Sequence, residues 1–183
     1  MTRIISGSAR GRELKVPKSG TRPTSDRVRE SIFTALDHRM GGFSGAKVLD
    51  LFSGSGAFAL EALSRGAESA TCVESARSAA QVISTNAANL GFPAKVVCED
   101  ALKYVARPAG EGFDLVFADP PYEMATEVLT QLVKDLKAGG WLAEGAWLVI
   151  ERSDRSEPLP EPDGAESYEY RKYGETGVWL VGW

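Results

Sequence analysis

The sequence has little with which to bind a metal or staple itself. Its two cysteines, Cys72 and Cys98, and its single histidine, His38, show no metal-ligand spacing. Both cysteines sit in apolar stretches, which predicts buried free thiols rather than a disulfide. No apolar run approaches the ~20 residues of a membrane span, and Met1-Thr2-Arg3-Ile4 leads into no signal-peptide core. No Ser–His or Cys–His arrangement points to a covalent intermediate. No internal repeat or low-complexity tract interrupts the chain. These absences predict a cytoplasmic protein without a metal and without a membrane partner. With 183 residues, 43% of them hydrophobic, the chain can bury an ordinary core as one domain with or without an appendage.

What charge there is lies unevenly. Residues 1–40 hold nine Lys/Arg and four acids, a balance of +5, although the whole chain carries −4. The remainder is therefore acidic, at −9. A basic arm on an acidic body suggests a polyanionic partner that meets the arm. An ordinary solvated basic surface explains the arm equally well on charge alone.

Periodicity then divides the chain. Residues 3–6 and 12–16 are short strand candidates joined by a Gly-rich turn. A helix is predicted from Asp26 to about Met40, with Val28, Ile32, Ala35 and Leu36 on one face. After Gly41-Gly42 the pattern alternates. Strands are expected at 47–52, 69–73, 94–98, 113–118 and 146–150, and helices at 57–65, 76–90, 101–106 and 124–137. A Pro- and acid-rich loop over 152–166 precedes two strands, 167–173 and 176–182. Strand–helix alternation with short connections predicts an α/β fold, a parallel sheet covered by helices on both faces.

In such a sheet the ligand sits beyond the carboxyl ends of the strands. The first strand ends in "VLDLFSGSGAF" (48–58), where Asp50 precedes Gly54 and Gly56. The second ends at Glu74, the third at Glu99-Asp100, and the fourth at Asp119. Taken singly, each is mundane: a tight turn needs glycine, and an acid after a strand often caps a helix. One on each of four successive strands is harder to assign to turns. No Lys or Arg occurs from Val48 through Ser64, so this cleft is a poor home for a pyrophosphate. Carboxylates suit a cationic ligand with ribose hydroxyls and an adenine amine, and S-adenosylmethionine fits. Glu74 is expected to accept from the ribose hydroxyls and Asp100 from the adenine amine. Asp50 and the loop 52–56, Phe52 included, would hold the amino-acid end.

"FDLVFADPPYE" (113–123) completes the pattern. An exocyclic base amine is a poor nucleophile because its lone pair is delocalised into the ring. Methylating it calls for acceptors that draw its N–H groups toward tetrahedral geometry. The Asp119 carboxylate and the Pro120 carbonyl can do so. Pro121 stiffens the turn, and Tyr122 offers a face on which a flipped base can stack.

The chain resembles the Rossmann-like, S-adenosylmethionine-dependent methyltransferases of class I. It resembles most closely the RsmD family, which methylates guanine N2 in bacterial small-subunit (16S) ribosomal RNA. The carriers are "RIISGSARGRELKVP" (3–17), "RPTSDRVRESIF" (22–33), "VLDLFSGSGAFALEALSRGA" (48–67), "VE" (73–74), "EDA" (99–101) and "FDLVFADPPYE". The resemblance implies a mostly parallel seven-stranded sheet closed by an antiparallel hairpin. A small β-hairpin extension, 1–22, would precede a methyltransferase domain, 23–183. It implies that Asp50, Phe52, Gly54, Gly56, Glu74, Asp100 and Ala101 contact the cofactor, whose product is S-adenosylhomocysteine. Asp119, Pro120, Pro121 and Tyr122 would form the transfer site. Arg10, Arg12, Arg22, Arg27 and Arg29 would engage 16S ribosomal RNA, naked or within a small-subunit assembly particle, with the protein a monomer. An adenine-N6 methyltransferase on DNA or RNA, a dinucleotide-dependent oxidoreductase and a non-catalytic RNA-binding protein remain the alternatives.

Overall fold

The computed structural model describes residues 2–19 and 23–183. The chain opens with a two-stranded antiparallel ladder, β1 (Thr2–Arg3) and β2 (Glu13–Leu14). Helix α1 (Asp26–Met40) follows, its N-cap Ser25 accepting from the Val28 N–H. Strands and helices then alternate: β3 (Lys47–Leu51), α2 (Ala57–Ser64), β4 (Ser69–Glu74), α3 (Arg77–Leu90), β5 (Ala94–Cys98), α4 (Ala101–Val105), β6 (Phe113–Ala118) and α5 (Thr126–Ala138). The chain closes with β7 (Leu142–Ser153), β8 (Ser167–Tyr173) and β9 (Thr176–Gly182).

The last seven of these strands make one sheet in the order β5-β4-β3-β6-β7-β9-β8. The first five run parallel, and β9 is antiparallel to both its neighbours. This is the expected mixed sheet with a closing antiparallel hairpin. Two apolar layers cover it. Ile32, Phe33 and Leu36 of α1 join residues of α2 and α3 on one face, and Leu129, Leu132 and Leu136 of α5 join α4 on the other. Phe58 and Phe117 stack at 4.7 Å at the centre of the first layer. Among the described residues no helix is long and apolar enough to cross a membrane.

Three local expectations need correction. The N-terminal strands are two residues each, not four or five, because neighbouring N–H groups bond the body instead. Ile5 and Ser6 donate to the two oxygens of Glu61, Ala9 to Ser64 Oγ, and Lys15 to Asn86 Oδ1. Strand β7 starts earlier than 146: Phe113 pairs with Leu142 but Leu115 with Trp147, and the chain between bulges at Gly145, φ 74°. Cys72 is buried, whereas Cys98 is exposed, because β5 is an edge strand with one covered face.

Candidate active site

Every parallel strand delivers its carboxyl end to the same edge of the sheet, and a cavity of about 470 Å³ opens there. Its lining brings together Asp50, Phe52, Gly54, Glu74, Asp100, Ala101, Asp119, Pro120, Pro121 and Tyr122. The turn after β3 carries the tightest backbone. Phe52 lies in the left-handed region at φ 58°, unusual for a residue with a side chain, and Gly54 shares that conformation. Ser53 N–H bonds the Val73 carbonyl at 3.0 Å, and Gly56 N–H bonds that of Ser53 at 2.8 Å. Glu74 braces the loop: its Oε2 accepts from Gly54 N at 2.9 Å and its Oε1 from Ala76 N at 2.9 Å. Each oxygen keeps a lone pair for a further donor.

Gly56 stands apart from the rest. It does not line the cavity, and a Cβ there would meet Ile83 Cγ2 at 3.0 Å and Leu60 Cδ1 at 3.4 Å. Its φ of 81° at the start of α2 and its contact with α3 account for a glycine. The expectation that Gly56 contacts the cofactor is corrected accordingly.

Asp50 is buried under the loop, accepting from Ser53 Oγ at 2.8 Å and Ala59 N at 3.3 Å. Burial pushes its carboxyl up to about 7, against the pull of those two hydrogen bonds. Asp100 caps α4, accepting from Lys103 N at 3.0 Å through Oδ1. The mundane role and exposure to the cavity coexist there. After β6, the Pro121 carbonyl accepts from Met124 N–H at 3.0 Å; among the described residues no backbone N–H donates to the Pro120 carbonyl. Tyr122 stands 52% exposed at the mouth. Asp119 is pushed well upward, by burial first, then by the charges of Glu151 and Asp50.

Three residues at this edge escaped the sequence reading. Glu151, 6% exposed on β7, accepts from Thr24 Oγ1 at 2.5 Å. Thr24 itself lines the cavity, so the chain entering α1 forms one wall. Arg152 donates to the Met124 carbonyl at 2.9 Å and to Thr126 Oγ1 at 2.8 Å, tying down the segment after Tyr122. Arg29 also lines the cavity, yet it is only 1% exposed. Its guanidinium bonds Asp26 at 3.1 Å and the Arg3 carbonyl, and lies 3.9 Å from Glu61. Arg29 is therefore a buried tie between arm and body rather than a hand for RNA. Arg10, Arg12 and Arg27 are exposed, Arg12 reaching the Asn89 carbonyl at 3.0 Å. Arg22 lies outside the described residues. A signal for Glu151 was available: it follows the apolar run "WLVI" as Asp119 follows "LVFA".

Comparison with known proteins is consistent across the chain. The family model described as conserved hypothetical protein 95 matches residues 2–182. The ribosomal RNA small subunit methyltransferase D of Escherichia coli K12 is 42% identical over 151 residues, 81% of this chain and 73% of that protein. The protein of the same name in Haemophilus influenzae is 34% identical over 181 residues, covering 96% and 89%. A solved structure of a hypothetical protein from Thermus superposes with a TM-score of 0.83 at 35% identity, covering 99% of each chain.

Proposed function

The chain belongs to the RsmD family of S-adenosylmethionine-dependent methyltransferases, and on that premise we propose that it methylates a guanine N2 in small-subunit ribosomal RNA. The observation that carries this reading is the sharing of one cavity. Asp119, Pro120 and Tyr122 line the same space as Gly54, Glu74 and Asp100. An amine held at the first set lies beside a cofactor held at the second.

The donor set fits S-adenosylmethionine. Asp50 and the 52–54 backbone meet its ammonium end, the remaining lone pairs of Glu74 meet the ribose hydroxyls, and Asp100 with Ala101 meets the adenine. The cofactor supplies an electrophilic methyl group on a sulfonium. The protein's part is to hold the nucleophile. The Asp119 carboxylate and the Pro120 carbonyl accept from the N2 amine and orient its lone pair, while Tyr122 stacks on the flipped base. Fixing nucleophile and methyl in one geometry is worth on the order of 7–11 kcal/mol in well-oriented systems. Residues 1–22 form the arm that meets RNA, with Arg10 and Arg12 offered to phosphates, and 23–183 the catalytic body, which adds Arg27 from α1. The protein acts as a monomer in the cytoplasm, on small-subunit ribosomal RNA either naked or within an assembly particle.

The test is product identity. Ribosomal RNA lacking this modification, incubated with the protein and labelled S-adenosylmethionine, is digested to nucleosides. N2-methylguanosine is expected, and N6-methyladenosine as the labelled product would overturn the assignment.

Asp50 makes a second expectation. Its carboxyl titrates at about 7 in the free protein, and a bound cation favours the ionised form and lowers that value. Below pH 7 binding must therefore expel a proton. Affinity for S-adenosylmethionine should be greatest above pH 7 and weaken below it, approaching tenfold per pH unit. Calorimetry between pH 6 and 8.5 checks this, and Asp50→Asn should flatten the curve. A wild-type curve already flat there would show that Asp50 does not face the ligand's charge.

A further inference from the structure

Three carboxylates share one face of the sheet at its carboxyl edge. On β3, Leu49 and Leu51 lie in the α4–α5 layer, so Asp50 between them points to the α1 side. On β6, Phe117 belongs to the α1 layer and Ala118 to the other, which turns Asp119 back to the α1 side. On β7, Val149 belongs to the α1 layer and Ile150 to the other, which turns Glu151 the same way. Ala118 pairs with Ile150 across the two strands. Asp119 and Glu151 are thus the next residues in register, side by side on adjacent parallel strands about 4.8 Å apart.

Nothing in an S-adenosylmethionine site asks for the third carboxylate. It neighbours Asp119 just behind the cavity lining, and its partner Thr24 lines the cavity itself. Thr24 Oγ1 donates to its Oε2 at 2.5 Å and sets the plane of the group, and among the described residues no hydrogen bond falls on Oε1. Among the described residues the neighbouring cations do not serve it. Arg29 directs its donors to Asp26 and the Arg3 carbonyl, and Arg152 directs its own to Met124, Thr126 and Glu157 on the opposite face. Burial raises the Glu151 carboxyl, the Thr24 hydroxyl lowers it, and the Glu151 charge in turn raises Asp119. A pair of carboxyls kept from water in this way is suited to a ligand that brings N–H donors.

A guanine brings them on adjacent atoms. Its Watson–Crick edge presents the N2 amine and, next to it, the N1–H. Adenine presents its amine beside an N1 lone pair. We infer that Glu151 selects guanine: held by Thr24, its carboxylate accepts the N1–H of the base whose N2 amine Asp119 holds. The inference rests on the reading above that guanine N2 is the acceptor. It makes the site discriminate by a buried acceptor that an N1 lone pair would leave unpaired. Such sites reject analogues lacking the donor far better than apolar pockets reject a missing methylene.

The probe is 2-aminopurine, which keeps the reacting 2-amine but carries a lone pair at N1. Small-subunit ribosomal RNA fragments are made with guanine or 2-aminopurine at the mapped nucleotide, and kcat/KM is measured for each. Wild type should prefer guanine by about 10²–10⁴-fold. Glu151→Gln replaces the acceptor with an amide that can donate to N1, so the preference should shrink at least tenfold, with cofactor affinity unchanged. Thr24→Val, at the cleft wall, should shrink it less. Equal use of both RNAs by the wild type overturns the inference without touching the guanine-N2 assignment. So does a Glu151→Gln variant that loses activity on both by the same factor, since that marks a structural role. A wild type that methylates no guanine removes the assignment and the inference together.

Discussion

Replacing Asp119 by alanine is expected to slow methyl transfer by about 10²–10³-fold, the scale seen when one aligned polar group is removed from a preorganised site. The dissociation constant for S-adenosylmethionine should stay within about threefold of wild type, because Glu74, Asp50 and the 52–54 loop are untouched. Stability supplies an independent reading. The folded-state carboxyl of Asp119 is raised by burial and by its acidic neighbours Glu151 and Asp50. A group raised in this way contributes stability that is present below its unfolded value and lost as pH rises through the folded one. As pH rises through the folded value the buried charge comes to oppose folding, and in that range the alanine variant should melt at the wild-type temperature or above it. Low activity with an undiminished melting temperature marks a residue kept for chemistry. Normal turnover, or a loss of activity that tracks a loss of fold, would take Asp119 out of the transfer site.

The sheet was legible because each core strand is a short apolar run ending in a glycine, proline or acid, and each helix carries one apolar stripe. The strand-end rule alone puts Asp50, Glu74, Asp100 and Asp119 at one edge, and they do line one cavity. Glu151 obeys the same rule one strand further on. It was passed over because the acid-rich segment that follows reads as loop. The arm was less legible for a different reason. Whether residues 3–6 ladder with 12–16 depends on what else their N–H groups can reach, and Glu61 and Ser64 lie more than fifty residues away in sequence. Arg29 failed likewise: on its helix it flanks the apolar stripe, and a stripe does not tell a snorkelling cation from a sealed one. Gly56 was read by type; its φ and the proximity of Ile83 are facts of packing.

Glu61 should be the most costly polar side chain to remove. It is fully buried on α2 amid "ALEALS", where periodicity alone calls for an apolar residue. Its Oε2 accepts from Ile5 N at 2.8 Å, and its Oε1 from Ser6 N at 3.0 Å and Arg65 Nε at 2.9 Å. Arg29 stands 3.9 Å away, its Nε buried without a hydrogen bond. Burial lowers the Arg29 guanidinium, and the Glu61 and then the Asp26 charges hold it up. Glu61→Ala would leave a sealed cation with half its compensation and two arm N–H groups with none. Breaking a buried pair from one side costs about 3–5 kcal/mol. At roughly 2–4 °C per kcal/mol for a chain of this size, the melting temperature should fall by roughly 6–20 °C. Glu61→Gln keeps one acceptor oxygen and should lose less. Because the ties run to Ile5 and Ser6, the arm should loosen before the sheet does, and proteases should cut near Arg10 and Arg12 first. Charge reversal at Arg10 and Arg12 is the opposing experiment. These are exposed, so the melting temperature should barely move, while RNA binding weakens and its salt dependence flattens. A Glu61→Ala protein that melts with the wild type would mean the arm is held by its apolar contacts, Ile4 and Leu14, and that the buried charges are incidental.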